Sequence, residues 1–200
     1  MKKKDESMNK ISQDLVDFKI SPLYEYRINN EYYPVIGEGS SDADILFIGE
    51  APGKNEAEQG RPFCGRSGKV LDELLDSIKL KRADVYITNI VKDRPPKNRD
   101  PKKLEIELYA PFLDRQIDVI EPKIIATLGR FSMEWIFRHL EAEDQLSSIG
   151  EMHGEIFNIE ASFGEIVLLP LYHPAVALYN GGMKATLFED FKNIKSLLVK

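Results

Sequence analysis

The chain has one cysteine in 200 residues, Cys64. That excludes an intramolecular disulfide and any all-cysteine metal site. Its three histidines, His139, His153 and His173, stand too far apart in sequence for a metal-ligand pair. No apolar run reaches the roughly 18–20 residues needed to span a bilayer. The opening MKKKDESMNK has no apolar segment behind its lysines, so neither a membrane span nor a secretory leader is expected. The nucleotide fingerprints G-x-x-x-x-G-K-[ST] and G-x-G-x-x-G are missing, as is the G-x-S-x-G nucleophile elbow. Cys64 has no histidine arrangement that makes it a nucleophile and reads as a small packing residue. These absences leave a cytoplasmic protein with no metal and no nucleotide cofactor.

What is present suits one domain over residues 1–200 with a single core, its first dozen residues frayed. Apolar residues make up 42 % and charged residues 30 %, as in ordinary globular chains. The net charge of −6 argues mildly against a nucleic-acid partner. The basic residues cluster, however, and phosphate contacts are local. Arg61, Arg66 and Lys69 form one group; Lys92, Arg94, Lys97, Arg99, Lys102 and Lys103 form another. Composition alone does not decide between solvated loop charges and phosphate contacts.

Along the chain, DILFIGE (44–50), DVYITNIV and PKIIATLG are short apolar runs that read as buried strands. GKVLDELLDSI, residues 102–120, residues 129–140 and TLFEDFKNIKSLLV carry helical spacing. EMHGEIFNIEASFGEIVLLPLYHPA reads as a hairpin leading into a last core strand. Alternating strands and helices predict an α/β protein: a three-layer α/β/α sandwich around a central, mostly parallel, four-stranded sheet. Ligands of such sheets bind beyond the carboxyl ends of the strands. That rule selects the stretches after Ile48, around Asn89, after Leu128 and around His173.

The first stretch, GEAPGKNEAEQGRPFCGRSG (49–68), puts a carboxylate, Glu50, at a strand end. Gly49 and Gly53 beside it allow close backbone approach. Glu56 and Glu58 follow. Phe63, in a loop, is either a core plug or a rigid platform for a planar base. Asn89 is either a buried amide satisfied by backbone or a reader of a nucleobase edge, since an amide offers both donor and acceptor. His173, in LPLYHPA, can donate to an oxygen that becomes anionic or move a proton. His139 and His153 lack such a setting and read as structural or solvated.

In order and spacing, these motifs resemble the uracil-DNA glycosylase superfamily, specifically its family 4. GEAPGKNEAEQGRPFCGRSG resembles the first motif of that family, TNIVKDRPPKNRDP its second region, and HPAVALYN its His-Pro motif. The likeness runs from about Phe18 to the last helix. It implies that Phe63 stacks on a flipped uracil, that Asn89 pairs with its O4 and N3 edge, and that His173 stabilises the O2 oxyanion. Gly49, Ala51 and Gly53 would line the base. Glu50, or secondarily Glu56, would act at the sugar or on water; where better-known relatives place a water-activating aspartate, this chain has Ala51. Arg61, Arg66, Lys92, Arg94, Lys97 and Arg99 would hold phosphates, with Leu178, backed by Val176, as the wedge that fills the gap left by the base.

The chain also departs from its model. The family usually binds a [4Fe–4S] cluster through four cysteines. Aligned by their flanks, those positions are Phe18, Ser21, Asp93 and Tyr109, so no cluster is expected. Residues 92–105 hold no histidine, which argues against the covalent adduct of a related group. A position commonly arginine is Tyr179, and the position where some relatives block the thymine methyl is Gly53. The resemblance implies a monomeric, cofactor-free, nucleoid-associated enzyme. It would hydrolyse deoxyuridine in single- and double-stranded DNA for base-excision repair. A catalytically silent module that binds uracil or damaged DNA, and a glycosylase acting on hypoxanthine or xanthine, stay open.

Overall fold

In the computed structural model, which describes residues 2–198, the strands are Glu38–Gly39 (β1), Ile45–Gly49 (β2), Tyr86–Asn89 (β3), Ile124–Leu128 (β4), Phe157–Ala161 (β5) and Gly164–Leu171 (β6). They form one sheet in the order β1-β3-β2-β4-β6-β5. β2, β3, β4 and β6 run parallel, and β1 and β5 are antiparallel edges. The expected four-stranded sheet is therefore its parallel centre, and the two edges widen it to six strands. β1 has two residues, too few to leave a periodic signal. Every residue of β2, β3 and β4 is buried. This is why these strands read as continuous apolar runs: helices cover both faces.

The helices are Lys2–Val16 (α1), Tyr24–Asn29 (α2), Lys54–Gln59 (α3), Arg66–Ser77 (α4), Lys103–Ile120 (α5), Arg130–His139 (α6), Ile149–Met152 (α7), Val176–Tyr179 (α8) and Gly181–Leu198 (α9). On one face, Leu71, Leu74 and Leu75 of α4 and Leu187, Phe191 and Ile194 of α9 pack over Phe47, Ile87, Ala126 and Leu169. On the other, Leu113, Ile117 and Ile120 of α5 and Met133, Ile136 and Phe137 of α6 cover Leu46, Ile48, Ile125 and Leu168. Alternate strand residues feed alternate faces. Each such side chain contributes about 1.5–3 kcal/mol on burial.

The amino-terminal segment corrects the sequence reading. Residues 2–16 are helical rather than frayed, with Met1 outside the described residues. Ile11 and Leu15 of α1 are buried with Tyr109 and Phe112 on the outer side of α5. Arg115 on α5 pairs with Asp14 on α1 at 2.6 Å. Among the described residues, no helix is long and apolar enough to cross a membrane.

Candidate active site

The carboxyl ends of β2, β3 and β6 converge on a cavity of about 180 Å³. That is smaller than the roughly 300–1,000 Å³ of drug-sized sites and suits one planar ring. Glu50, Ala51, Gly53, Glu56, Phe63, Asn89, Arg99 and His173 line it, so one cavity gathers residues from all three motifs. Ser67, Pro95 and Asn98 join them; these were not foreseen, having no chemical signature in their local sequence.

Gly49 explains how the recognition groups meet. It pairs in register with Asn89 on the neighbouring strand. A Cβ at Gly49 would lie 2.4 Å from Asn89 Oδ1 and 2.7 Å from Phe63 Cζ. Only a residue without a side chain leaves room for the amide and the ring together. Gly53 plays a similar part: its Cβ would stand 2.6 Å from Glu56 Oε2.

Asn89 is 2 % exposed, and among the described residues its side-chain amide takes no hydrogen-bond partner. The bland alternative, an amide satisfied by backbone, is not what the structure has. Buried polar groups are nearly always paired, so an idle amide at a cavity wall marks a place for a ligand. Phe63 is 5 % exposed, with its ring centroid 5.6 Å from that of His173 at 31°. Its backbone is left-handed, with φ 47°.

His173 has a fixed tautomer. The backbone N–H of Ala175 donates to its Nδ1 at 3.1 Å, so Nδ1 is the acceptor and the ring proton sits on Nε2. Burial pushes its pKa down to about 4, against the opposing charge of Glu56. The ring is therefore neutral near pH 7, with one N–H to give. Gly129, at φ 100°, makes room beside it: a Cβ there would stand 3.2 Å from His173 Cβ.

The two acids differ. Burial, reinforced by the nearby Asp100 carboxylate and opposed by Arg130, raises Glu50 to a pKa of about 7. Its carboxylate takes no hydrogen bond among the described residues. Glu56 is committed: its Oε1 accepts the N–H of Cys64 at 3.0 Å and of Gly65 at 2.7 Å. It braces the turn into α4.

The basic residues separate as well. Lys92 leaves the phosphate-contacting set. Its side chain is 0 % exposed, and Nζ donates to Thr88 Oγ1, the Asn89 carbonyl and Gln116 Oε1. Arg61 is exposed but held bidentate by Glu38, Arg94 bonds Asn98 and Tyr32, and Arg99 bonds Glu105. Arg66 and Lys97 are exposed near the cavity motifs. Leu178 is half-buried against the α4/α9 core, whereas Tyr179 is 87 % exposed. The outward residue of α8 is thus Tyr179, whereas Leu178, the expected wedge, leans on the core. His153 bonds Asp190 at 2.9 Å and His139 stacks on Trp135, both away from the cavity.

The four positions matched to cluster cysteines do meet in space. The Tyr109 hydroxyl donates to Asp93 Oδ2 at 2.5 Å and shares a hydrogen bond with Ser21 Oγ at 2.8 Å. The Phe18 ring lies edge-on to Tyr109, 5.5 Å between centroids. Arg27 closes the group, its Nη1 3.3 Å from both Asp93 oxygens. Burial pushes the Asp93 carboxyl up, while Tyr109 and Arg27 pull it down. An iron–sulphur cluster requires thiolates, and these side chains supply none, so the residues present do not fit one.

Residues 36–194 match the family model of the uracil DNA glycosylase superfamily. The chain is 45 % identical over 195 residues to a type-4 uracil-DNA glycosylase of Sulfurisphaera tokodaii, covering 97 % of this chain and 86 % of that protein. It is 38 % identical over 195 residues to the type-4 enzyme of Archaeoglobus fulgidus, covering 98 % and 95 %. To the Thermotoga maritima type-4 enzyme it is 34 % identical over 199 residues, covering 98 % and 97 %. With its cavity, its motifs and these relatives in agreement, the chain belongs to the uracil-DNA glycosylase superfamily, on its type-4 side.

Proposed function

We propose that this protein releases uracil from DNA by hydrolysing the N-glycosidic bond of deoxyuridine, leaving an abasic site for repair. The observation that carries the reading is the idle Asn89 amide, nearly buried in the wall of a ring-sized cavity beside Phe63. Uracil presents an acceptor at O4 and a donor at N3–H, which one amide matches at once; cytosine presents the reverse. The base must leave the helix stack to enter, at a few kcal/mol in duplex and less in a single strand, so both substrates are accepted. Exposed Arg66 and Lys97 are the phosphate contacts.

In the reaction, the C1′–N1 bond breaks and its electron pair goes to the base. Charge collects on uracil O2, where the neutral His173 Nε2–H donates. A water oxygen bonds to C1′ and gives its proton to the Glu50 carboxylate, whose pKa of about 7 suits a base working near neutrality. Glu56 keeps the loop in shape. One chain supplies every group named, so the reaction needs no second subunit. The names of the type-4 relatives support this reading.

Single-turnover uracil release from a labelled oligonucleotide is the test. His173→Ala should lose roughly 10²–10³ in rate, the usual cost of one oxyanion donor. Asn89→Asp should lose uracil release or acquire action on cytosine. No release by the wild type, with tight binding to uracil-DNA, would replace this reading with that of a binding module. Activity on hypoxanthine alone would reassign the base.

A further inference from the structure

Phe63 holds a backbone conformation that a phenylalanine rarely adopts, at φ 47°. Such a residue persists only where its surroundings over-determine it. The peptide that follows it is gripped at both ends. Its N–H, from Cys64, donates to Glu56 Oε1 at 3.0 Å. Its carbonyl, from Phe63, accepts Arg82 Nη1 at 3.2 Å. The same guanidinium reaches back one peptide, Nη2 to the Pro62 carbonyl at 2.6 Å. Arg82 is itself oriented by a hydrogen bond to Asp72 of α4, at 2.9 Å, and its Nε lies in ion-pair range of Glu38 of β1, at 3.4 Å, without a hydrogen bond. Helix α4 presses on the same carbonyl, since a Cβ at Gly68 would lie 1.7 Å from Phe63 O.

We propose that Arg82, more than a dozen residues downstream of the motif and outside the cavity, is the positioning residue for the base-stacking platform. Its planar fork spans two successive carbonyls while its edges meet two carboxylates, a pattern a lysine cannot reproduce. It thereby fixes the peptide that aims the Phe63 ring at Gly49 and His173. The inference rests on the assignment of Phe63 as the surface against which uracil lies.

Three measurements on Arg82→Lys and Arg82→Ala test it: single-turnover uracil release, affinity for free uracil, and affinity for abasic-site DNA. A displaced ring should slow release roughly 10- to 100-fold, the scale of a misplacement of about 1 Å. Free uracil should bind more weakly by a similar factor. Abasic DNA, having no base to stack, should bind within about two-fold of wild type. Added guanidinium ion should restore part of the rate to Arg82→Ala. The melting temperature identifies any variant that fails to fold, and Arg82→Lys then carries the test. Equal losses on abasic and uracil-containing DNA would mean Arg82 serves the fold alone and would overturn the proposal. So would unchanged release in both variants. A wild type that releases no uracil would overturn the parent reading and this one with it.

Discussion

Asp93→Asn is the substitution with the largest effect to be worked out from contacts alone. Asp93 and Arg27 are 1 % and 4 % exposed, an ion pair removed from water. Asparagine keeps the volume and one acceptor oxygen but leaves the buried guanidinium without a counter-charge, facing a neutral amide and the Leu15 and Val16 carbonyls. Removing one member of a buried pair costs about 3–5 kcal/mol. For a chain of this size, each kcal/mol moves the melting temperature by about 2–4 °C. A fall of roughly 6–20 °C is expected. Tyr109→Phe, which deletes the hydrogen bond to the Asp93 oxygen and the one shared with Ser21, should cost about 1.5–3 kcal/mol. Because the two side chains touch, the double variant should lose less than the sum, with a coupling of about 1 kcal/mol or more. Urea unfolding at constant pH, fitted with a common slope, reads all three. A loss below about 1 kcal/mol for Asp93→Asn, or strict additivity, would refute the idea that this cluster braces the amino-terminal segment against the loop after β3.

Three further outcomes follow from the cavity. Release should climb as the pH rises through about 7 and level off above it, as Glu50 ionises; Glu50→Gln should be slow and nearly flat with pH. Because burial raises that pKa from 4.5, protonation favours the fold, and the contribution is lost as the pH rises from about 4.5 past about 7. Glu50→Gln should therefore melt higher than wild type at pH 8 and equally at pH 4.5, by calorimetry. Gly49→Ala puts a methyl 2.4 Å from Asn89 Oδ1 and should slow release about 100-fold; a rate within three-fold of wild type would sink the close-approach argument. Tyr179→Ala should weaken duplex activity more than single-strand activity, while Leu178→Ala should chiefly lower stability; the reverse pattern would restore Leu178 as the wedge.

Much of the site was legible because its residues sit where local sequence is informative. Glu50, Asn89 and His173 each follow an apolar run, and strand ends are where such sheets bind ligands. The parallel strands announced themselves by continuous hydrophobicity. What stayed hidden depends on distant partners. Lys92 reads as one more charge in a basic run; only the fold brings Gln116 of α5 and Thr88 of β3 to its ammonium and closes water out. Arg82 opens a single 3₁₀ turn of three residues, too short to show periodicity, and its tie to Phe63 is a contact across 19 residues. Residues 2–16 carry so many lysines and acids that their single apolar face, Ile11 and Leu15, is easily outvoted. The Phe18, Ser21, Asp93 and Tyr109 positions could be matched by their flanks, but the hydrogen bonds joining three of them required coordinates.

That last cluster also changes what the protein depends on. A brace of carboxylate, phenol, hydroxyl and guanidinium is encoded wholly in the polypeptide and is complete the moment the chain closes. Its assembly calls on no delivered iron or sulphide and no maturation machinery. Oxidants that dismantle exposed metal–sulphur centres find nothing there to attack. The brace turns on hydrogen bonding and packing instead, and since burial holds the Asp93 carboxyl above its ordinary range, its natural weakness is heat rather than acid.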